Sequence, residues 1–223
     1  MTYGLIIAMS EEADFFISAL ENATHITVQG RVFSNGIINE NSVVIVRSGI
    51  GKVNAATAAA LMIERYKPDL IISTGISGGL GVSPVLSVVV GTACVQHDID
   101  SSVTGDPLGT VWGLDKIYLE ASENFVNGVL AKFPQAKKGI IASGDQFISS
   151  KARCDFIKDN FNAAACDMEA GAVAQTATLA GVPFGVIRVI SDGADEDAPK
   201  SFNELVTIAS KLNYEIVSEI IKG

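Results

Sequence analysis

The sequence has 223 residues, a formal net charge of −9, 48% hydrophobic residues and 18% charged residues. This composition excludes an intrinsically disordered chain, and the negative charge argues against nucleic acid or an anionic membrane as partner, so we expect a small-molecule ligand. Three cysteines without CxxC spacing and only two histidines predict buried, reduced thiols and no metal site. The start of the chain lacks a basic leader, and no apolar run is long enough to span a membrane, so we expect a cytoplasmic protein.

The N-terminal part combines buried strands with a hairpin region. Continuous apolar or β-branched runs predict strands, and spaced apolar or Ala-rich runs predict helices. In chain order we expect a strand at 3–8, a helix over 10–23, hairpin strands within 25–49, a helix over 51–66 and a strand at 69–74 that ends in a glycine turn.

The C-terminal part alternates strands and helices more regularly. In chain order we expect a strand at 86–96, a polar, glycine-punctuated loop at 98–115, a strand at 137–144, a helix near 150–160, a helix from 168, a strand at 184–191 and a final helix from about 201 to 221. A hairpin region followed by βα alternation predicts one α/β domain, residues 1–223, in which helices flank a central mixed β-sheet as three layers.

The segments that follow the predicted strands are rich in small residues and carboxylates. Ligands of open α/β sheets bind at the carboxyl ends of strands, where Glu12, Glu169 and Asp192 all occur. The glycine-rich segments match neither the phosphate-binding nor the dinucleotide-binding spacing. Several carboxylates around a small pocket suit cleavage of a glycosidic bond, because one acid can protonate the leaving group while another holds or activates water.

The segment "CDMEAGAVAQ", residues 166–175, opens a predicted apolar helix with two acids. Acids at a helix start stabilise free backbone N–H groups, and we assign this role to Asp167. For Glu169 we expect a role in the site, facing sugar hydroxyls.

Six segments together resemble one enzyme family: "IIAMSEEADFF", "SGIGKVNAA", "TGISGGL", "SGDQFI", "DMEAGAVAQ" and "RVISDGAD". They occur in the order found in the 5′-methylthioadenosine/S-adenosylhomocysteine nucleosidases of the purine nucleoside phosphorylase superfamily, and they cover essentially the whole chain. The resemblance implies a nucleoside phosphorylase-like fold, hydrolysis of adenine thionucleosides such as 5′-methylthioadenosine and S-adenosylhomocysteine, and no cofactor. It does not rank these substrates against 5′-deoxyadenosine or a futalosine-type nucleoside.

The resemblance also implies roles for individual residues. The catalytic residues would be Glu12, which activates water, and Asp192, which protonates N7 of adenine. The substrate-binding residues would be Met9, Ile50 and Gly78 around the ribose and water, Phe147 and Ile148 at the purine, Met168 and Glu169 at the ribose, and Arg188 and Ser191 as support for the water and Asp192.

The resemblance further implies a homodimer, in which loop 98–109 of one subunit covers the 5′-substituent bound by the other. Ile76 and Asp167 depart from the family pattern, which has a serine in some members and a glutamate in many at these positions. Arg47 precedes "SGIGK" and has no assigned role.

Two other functions compete with nucleoside hydrolysis. A phosphate-dependent purine nucleoside phosphorylase would need cations around phosphate, yet Ser73 stands where related phosphorylases carry an arginine, and Glu12 would repel the anion. A non-catalytic nucleoside-binding protein of the same fold would be indicated by loss of Glu12 or Asp192, and both are present.

Overall fold

The computed structural model describes residues 1–81 and 84–222. The strands are β1 (Thr2–Ile7), β2 (Glu21–Val28), β3 (Arg31–Ile38), β4 (Asn41–Arg47), β5 (Leu70–Gly79), β6 (Val88–Gln96), β7 (Leu119–Glu120), β8 (Lys137–Ser143), β9 (Ala163–Asp167) and β10 (Phe184–Asp192). The helices are α1 (Ser10–Ser18), α2 (Lys52–Tyr66), α3 (Glu123–Lys132), α4 (Lys151–Phe161), α5 (Ala170–Ala180) and α6 (Ala198–Lys222), with a short 3-10 turn at Ser102–Thr104.

The strands form one mixed sheet that is organised around β5. β5 is parallel to β1 and β10, and its carboxyl end pairs antiparallel with β9. On one side β1 continues to β4, β3 and β2, whereas on the other β10, β6, β8 and β9 lead back to β5 and close a five-strand ring. At this closure Gly78 is in register with Asp192 of β10 and with Cys166 of β9, so three strand ends meet at one point.

Helices cover both faces of the sheet, as the sequence predicts. On one face α2 and α5 pack through small residues such as Ala58 and Ala174, which are fully buried. On the other face α1, α3 and α6 contribute larger apolar side chains such as Phe16 and Ile216. The predicted mixed sheet flanked by helices is therefore confirmed. Within the described ranges, none of the helices combines the length and apolar character needed to cross a bilayer.

Two predicted boundaries are wrong because a tertiary contact prevails over the local pattern. The helix predicted over 10–23 ends at Ser18, since Glu21 pairs with Ile37 and starts β2. The glycine turn predicted after 69–74 is a continuation of β5 to Gly79. Gly75 serves close packing there, because a Cβ at this position would lie 2.5 Å from Glu12 Oε1.

Two predicted helix starts are also displaced: the helix predicted from 168 begins at Ala170, and the final helix predicted from about 201 begins at Ala198. Shortly before Ala170, residues Ala163–Asp167 form β9, which the sequence analysis did not predict. Helix α3 was not predicted either; Ser122 caps it by accepting a hydrogen bond from the Phe125 N–H.

Gly185 offers a test of how tightly β10 packs against α3. A Cβ at Gly185 would lie 2.3 Å from the Phe125 ring, so we expect Gly185→Ala to lower the free energy of unfolding by about 1 to 3 kcal/mol. The matched control is Gly128→Ala in α3, where a Cβ meets nothing within 4 Å. This control should raise stability by about 0.5 to 1 kcal/mol, because glycine is unfavourable inside a helix. Urea unfolding measures both, and equal stability of the two variants would contradict the packing argument.

Candidate active site

A cavity of about 300 Å³ lies where the carboxyl ends of β1, β5, β9 and β10 converge. Every predicted site residue except Arg188 lines it: Met9, Glu12, Ile50, Gly78, Phe147, Ile148, Met168, Glu169, Ser191 and Asp192. The lining also includes Ile76 and Asp167, the two departures from the family pattern, and residues that were not predicted: Ala8, Ser77, Gln146, Cys166 and Phe202. None of these residues is a lysine, arginine or histidine.

Glu12 is buried in the first turn of α1, and backbone groups fix its carboxylate. Its Oε2 accepts a hydrogen bond from the Met9 N–H at 2.9 Å, and its Oε1 accepts one from the Ile76 N–H at 2.9 Å. Burial raises the pKa of Glu12, and these two hydrogen bonds oppose the rise because they stabilise the charged form. The side chain therefore joins the helix start to β5 and presents a carboxylate of increased basicity to the cavity.

Asp192 ends β10 and is only 3% exposed. Its Oδ2 accepts a hydrogen bond from the Ser191 hydroxyl at 2.7 Å, and its Oδ1 accepts one from the Ala194 N–H at 2.9 Å. Burial raises the pKa of Asp192, which favours the protonated acid needed for proton donation. Ser191 thus supports Asp192 as the sequence analysis expected.

Glu169 precedes α5 and faces the same cavity as Glu12. Its Oε1 accepts a hydrogen bond from the Gly51 N–H at the start of α2, at 2.9 Å. Burial raises the pKa of Glu169 to about 7, with the negative charge of Asp167 as the second cause. At neutral pH this side chain therefore exchanges a proton readily and can accept or donate hydrogen bonds to hydroxyl groups.

Arg188 lies beneath the cavity and does not line it. Its Nη2 lies 2.6 Å from Asp167 Oδ2 and donates to Ser73 Oγ at 2.9 Å, and its Nε also donates to Asp167 Oδ2 at 2.9 Å. These contacts turn its guanidinium toward β5 and β9 and none of them reaches Asp192, so the predicted support for the water and Asp192 stays a prediction. A second cavity of about 10 Å³ borders Arg188, Glu12 and Glu169, which is close to the size of one water molecule.

Asp167 combines the helix role predicted for it with an ion pair. Its Oδ2 accepts a hydrogen bond from the Ala170 N–H at 3.2 Å, at the start of α5. Its Oδ1 accepts a short hydrogen bond from the Ser143 hydroxyl, and Ser143 Oγ in turn accepts one from the Gly171 N–H at 2.7 Å. The stabilisation of the helix start predicted for Asp167 is confirmed.

Two phenylalanines cover one end of the cavity. Phe147, in the loop after β8, and Phe202, on α6, form an edge-to-face pair with ring centroids 5.8 Å apart. Next to them Ile148 is buried, and its N–H and C=O form no backbone hydrogen bond with the residues that the structure describes. Phe202 was missed because its sequence context is that of an ordinary amphipathic helix, which gives no signal of a site.

Loop 98–109 and its neighbours present apolar side chains to solvent. Val103 is 95% exposed and Trp112 is 65% exposed, and Val53 at the start of α2 is 76% exposed. Arg47, at the end of β4, is also exposed and does not border the cavity. In the described part of the chain, no group of three or more His, Cys, Asp or Glu residues could hold a metal ion, and the three cysteines are free and buried.

Comparison with known proteins identifies relatives over the full length. A family model described as the phosphorylase superfamily matches residues 2–222. The chain is 36% identical to a 5′-methylthioadenosine/S-adenosylhomocysteine nucleosidase of a Geobacillus species, with 100% of this chain and 99% of the relative covered. A protein of the same name from an Exiguobacterium species is 38% identical, with 100% and 98% covered.

Solved structures show the same likeness. The nucleosidase of S. pneumoniae with a transition-state inhibitor superposes with a TM-score of 0.95 at 30% identity, covering 100% of this chain and 99% of that one. The Neisseria meningitidis nucleosidase in complex with methylthio-immucillin-A gives a TM-score of 0.94 at 33% identity, covering 99% and 98%. The chain belongs to the phosphorylase superfamily and, within it, to the family of 5′-methylthioadenosine/S-adenosylhomocysteine nucleosidases.

Proposed function

We propose that this protein hydrolyses the N-glycosidic bond of adenine thionucleosides, 5′-methylthioadenosine and S-adenosylhomocysteine, to adenine and the corresponding thioribose. The observation that carries the proposal is the placement of two buried carboxyl groups, Glu12 and Asp192, on one cavity of about 300 Å³. Burial raises the pKa of both groups, which favours the protonated form of Asp192 as an acid and increases the basicity of Glu12.

Asp192 is the proposed acid. Protonation of adenine at N7 converts a poor leaving group into a neutral one when the bond to C1′ breaks, and the ribose becomes oxocarbenium-like. The hydrogen bonds from Ser191 and Ala194 hold the carboxyl group at the end of β10, so its direction is fixed before substrate binds. Phe147 and Ile148 would then contact the purine, the former by its ring and the latter by its free backbone groups.

Glu12 is the proposed base. It accepts a proton from the water that attacks C1′, so the hydroxyl of water stays on the sugar and the proton lost from Asp192 leaves with adenine. Glu169 would bind the ribose hydroxyls and Met168 would pack on the sugar, since both line the same cavity as Glu12. Gly78, Met9 and Ile50 supply the remaining contacts, and no cofactor takes part in this scheme.

Water is favoured over phosphate as the nucleophile. No cationic side chain lines the cavity among the residues described, and the nearest buried cation, Arg188, is bound to Asp167 and Ser73. A phosphate ion would therefore meet Glu12 and Glu169 without a compensating positive charge. This arrangement disfavours the alternative of a nucleoside phosphorylase, and the intact pair of Glu12 and Asp192 disfavours a purely binding role.

We also propose a cytoplasmic homodimer. The exposed Val53, Val103 and Trp112 would be buried by a second copy of the chain, and loop 98–109 would then lie near the partner's cavity. Ile50, which is 52% exposed and lines the cavity, comes shortly before Val53 in the chain. The 5′-substituent would be enclosed between the cavity and the partner subunit, where Met9 and Phe202 supply apolar surface.

Asp192→Asn tests the assigned acid. We expect the release of adenine from 5′-methylthioadenosine to slow by about 10² to 10⁴-fold, because the amide cannot donate a proton to N7 as a carboxylic acid does. The matched control is Asp197→Asn, which changes an exposed acid of the following loop and should leave turnover unchanged. Circular dichroism establishes that both variants fold, and normal turnover by the Asp192 variant would refute the assignment.

Glu169→Gln tests the ribose contact and the raised pKa. A raised carboxyl pKa stabilises the folded protein at low pH, and this stabilisation is lost as pH rises from the ordinary value of 4.5 to about 7. The wild type should lose stability relative to Glu169→Gln across this window, with no further change above it. The specificity constant should fall by at least about tenfold, the equivalent of about 1.4 kcal/mol. An unchanged specificity constant would remove Glu169 from the site.

The nucleophile is identified by isotope labelling. In water enriched in ¹⁸O, with and without added phosphate, we expect the label in the hydroxyl at C1′ of the thioribose and no effect of phosphate on the rate. Phosphorus NMR detects any sugar phosphate. A thioribose 1-phosphate among the products would establish the phosphorylase reaction instead.

A further inference from the structure

The loop between β8 and α4 carries three residues of the proposed purine end of the cavity: Gln146, Phe147 and Ile148. Its first residues are anchored by Asp145, whose N–H donates to Asp98 Oδ2 at 2.9 Å and whose Oδ1 accepts from the Lys52 N–H at 2.7 Å. Gln146, Phe147 and Ile148 follow Asp145 in the chain, and the hydrogen bonds of Asp145 do not involve their side chains. Other contacts must therefore hold these side chains in place.

Gln146 provides one such contact, and it is made by an arginine of α4. The side-chain carbonyl Oε1 of Gln146 accepts a hydrogen bond from Arg153 Nε at 3.2 Å. Hydrogen bonds from a charged donor are stronger than neutral ones, and this bond fixes the orientation of the amide by occupying its Oε1. The Gln146 side chain is thereby tied to a regular helix.

Arg153 is itself fixed from two further directions. Its guanidinium carbon lies 4.6 Å from the centre of the Phe156 ring, and its Nη2 lies 3.4 Å from His97 Nδ1. A planar guanidinium can stack on a ring and direct two nitrogens to separate acceptors at the same time, whereas the ammonium of lysine cannot reproduce this geometry.

His97 is a buried neighbour of Arg153. It is 1% exposed, its Nδ1 lies 3.4 Å from Arg153 Nη2, and its Nε2 has no hydrogen-bond partner within the described residues. Burial is the main cause that lowers the pKa of His97; Arg153 lowers it further, while Asp98 and Asp167 act in the opposite direction. The lowered pKa favours the neutral imidazole, which does not repel the guanidinium of Arg153.

From these contacts we propose that Arg153 is a positioning residue that holds Gln146, and with it the purine-facing residues 146–148, in the orientation that binds adenine. The inference deepens the proposed function and rests on it. Arg153 does not border the cavity, and none of its hydrogen bonds reaches Glu12, Glu169 or Asp192. Its contribution should therefore appear in the affinity for the purine and not in the proton-transfer step.

A double-mutant cycle tests this route of action. We expect Arg153→Ala to raise both the KM for 5′-methylthioadenosine and the Kd for adenine by about tenfold, the equivalent of about 1.4 kcal/mol, with kcat changed less than twofold. Gln146→Ala should have a similar effect, and the double variant should be no worse than either single variant, because both remove one contact. Unchanged adenine affinity, or effects that add in full, would overturn the proposal.

Two further variants test whether a rise in KM could result from a loss of structure alone. Arg153→Lys keeps the charge and the stem but lacks the planar fork, so we expect it to share the rise in KM even if Arg153→Ala is unstable. Arg65→Ala, on the exposed surface of α2, is the matched control and should leave KM and kcat unchanged. Full retention of adenine affinity by Arg153→Lys would show that charge alone, and not this geometry, supports the loop.

A readout without catalysis separates this inference from the proposed function. The chain has two histidines, so His97 can be followed by NMR against His25 as internal reference. Removal of the neighbouring cation in Arg153→Ala should raise the pKa of His97, whatever the reaction is. If the wild type does not hydrolyse 5′-methylthioadenosine, the proposed function fails; if it does and Arg153→Ala binds adenine normally, only the present proposal fails.

Discussion

The ion pair between Arg188 and Asp167 is the contact on which the rest of the site depends. Their side chains are 3% and 1% exposed, with Arg188 Nη2 2.6 Å from Asp167 Oδ2. The pair joins β10 to β9, and Ser73 connects it to β5, so it ties together the strands that lead to Asp192 and Glu169. Removing one partner would leave an uncompensated buried charge, which costs about 3 to 5 kcal/mol.

The ion pair between Arg188 and Asp167 also affects the protonation of the neighbouring carboxyl groups of Glu12 and Glu169. Because Arg188 is paired with Asp167, its positive charge only partly offsets the burial that raises the pKa of Glu12 and of Glu169. Burial without full compensation keeps protons on carboxyl groups at pH values where they would be lost in water. The raised pKa values of these carboxyl groups are therefore a consequence of how the strand ends are packed.

Sequence reasoning found most of the cavity because its residues occur at strand ends, and parallel strands bring their carboxyl ends to one edge. It missed contributions that arise from closure of the sheet and from distant helices. The Ala-rich β9 lacks the β-branched residues typical of strands, and Phe202 comes from α6, far along the chain. It also placed Arg188 in the substrate site, since a motif gives a position in sequence and not the direction of a side chain.

The contacts of Arg188 also bear on how a fold shared with phosphorylases favours water. Of the five N–H groups of its guanidinium, Nε binds Asp167, Nη2 binds Asp167 and Ser73, and Nη1 binds the carbonyl of Ile187, which leaves a single N–H. One N–H cannot replace the several donors that a phosphate dianion requires. These bonds leave Arg188 little capacity to bind a phosphate ion, which adds to the absence of an arginine at Ser73 and to the negative charge of Glu12.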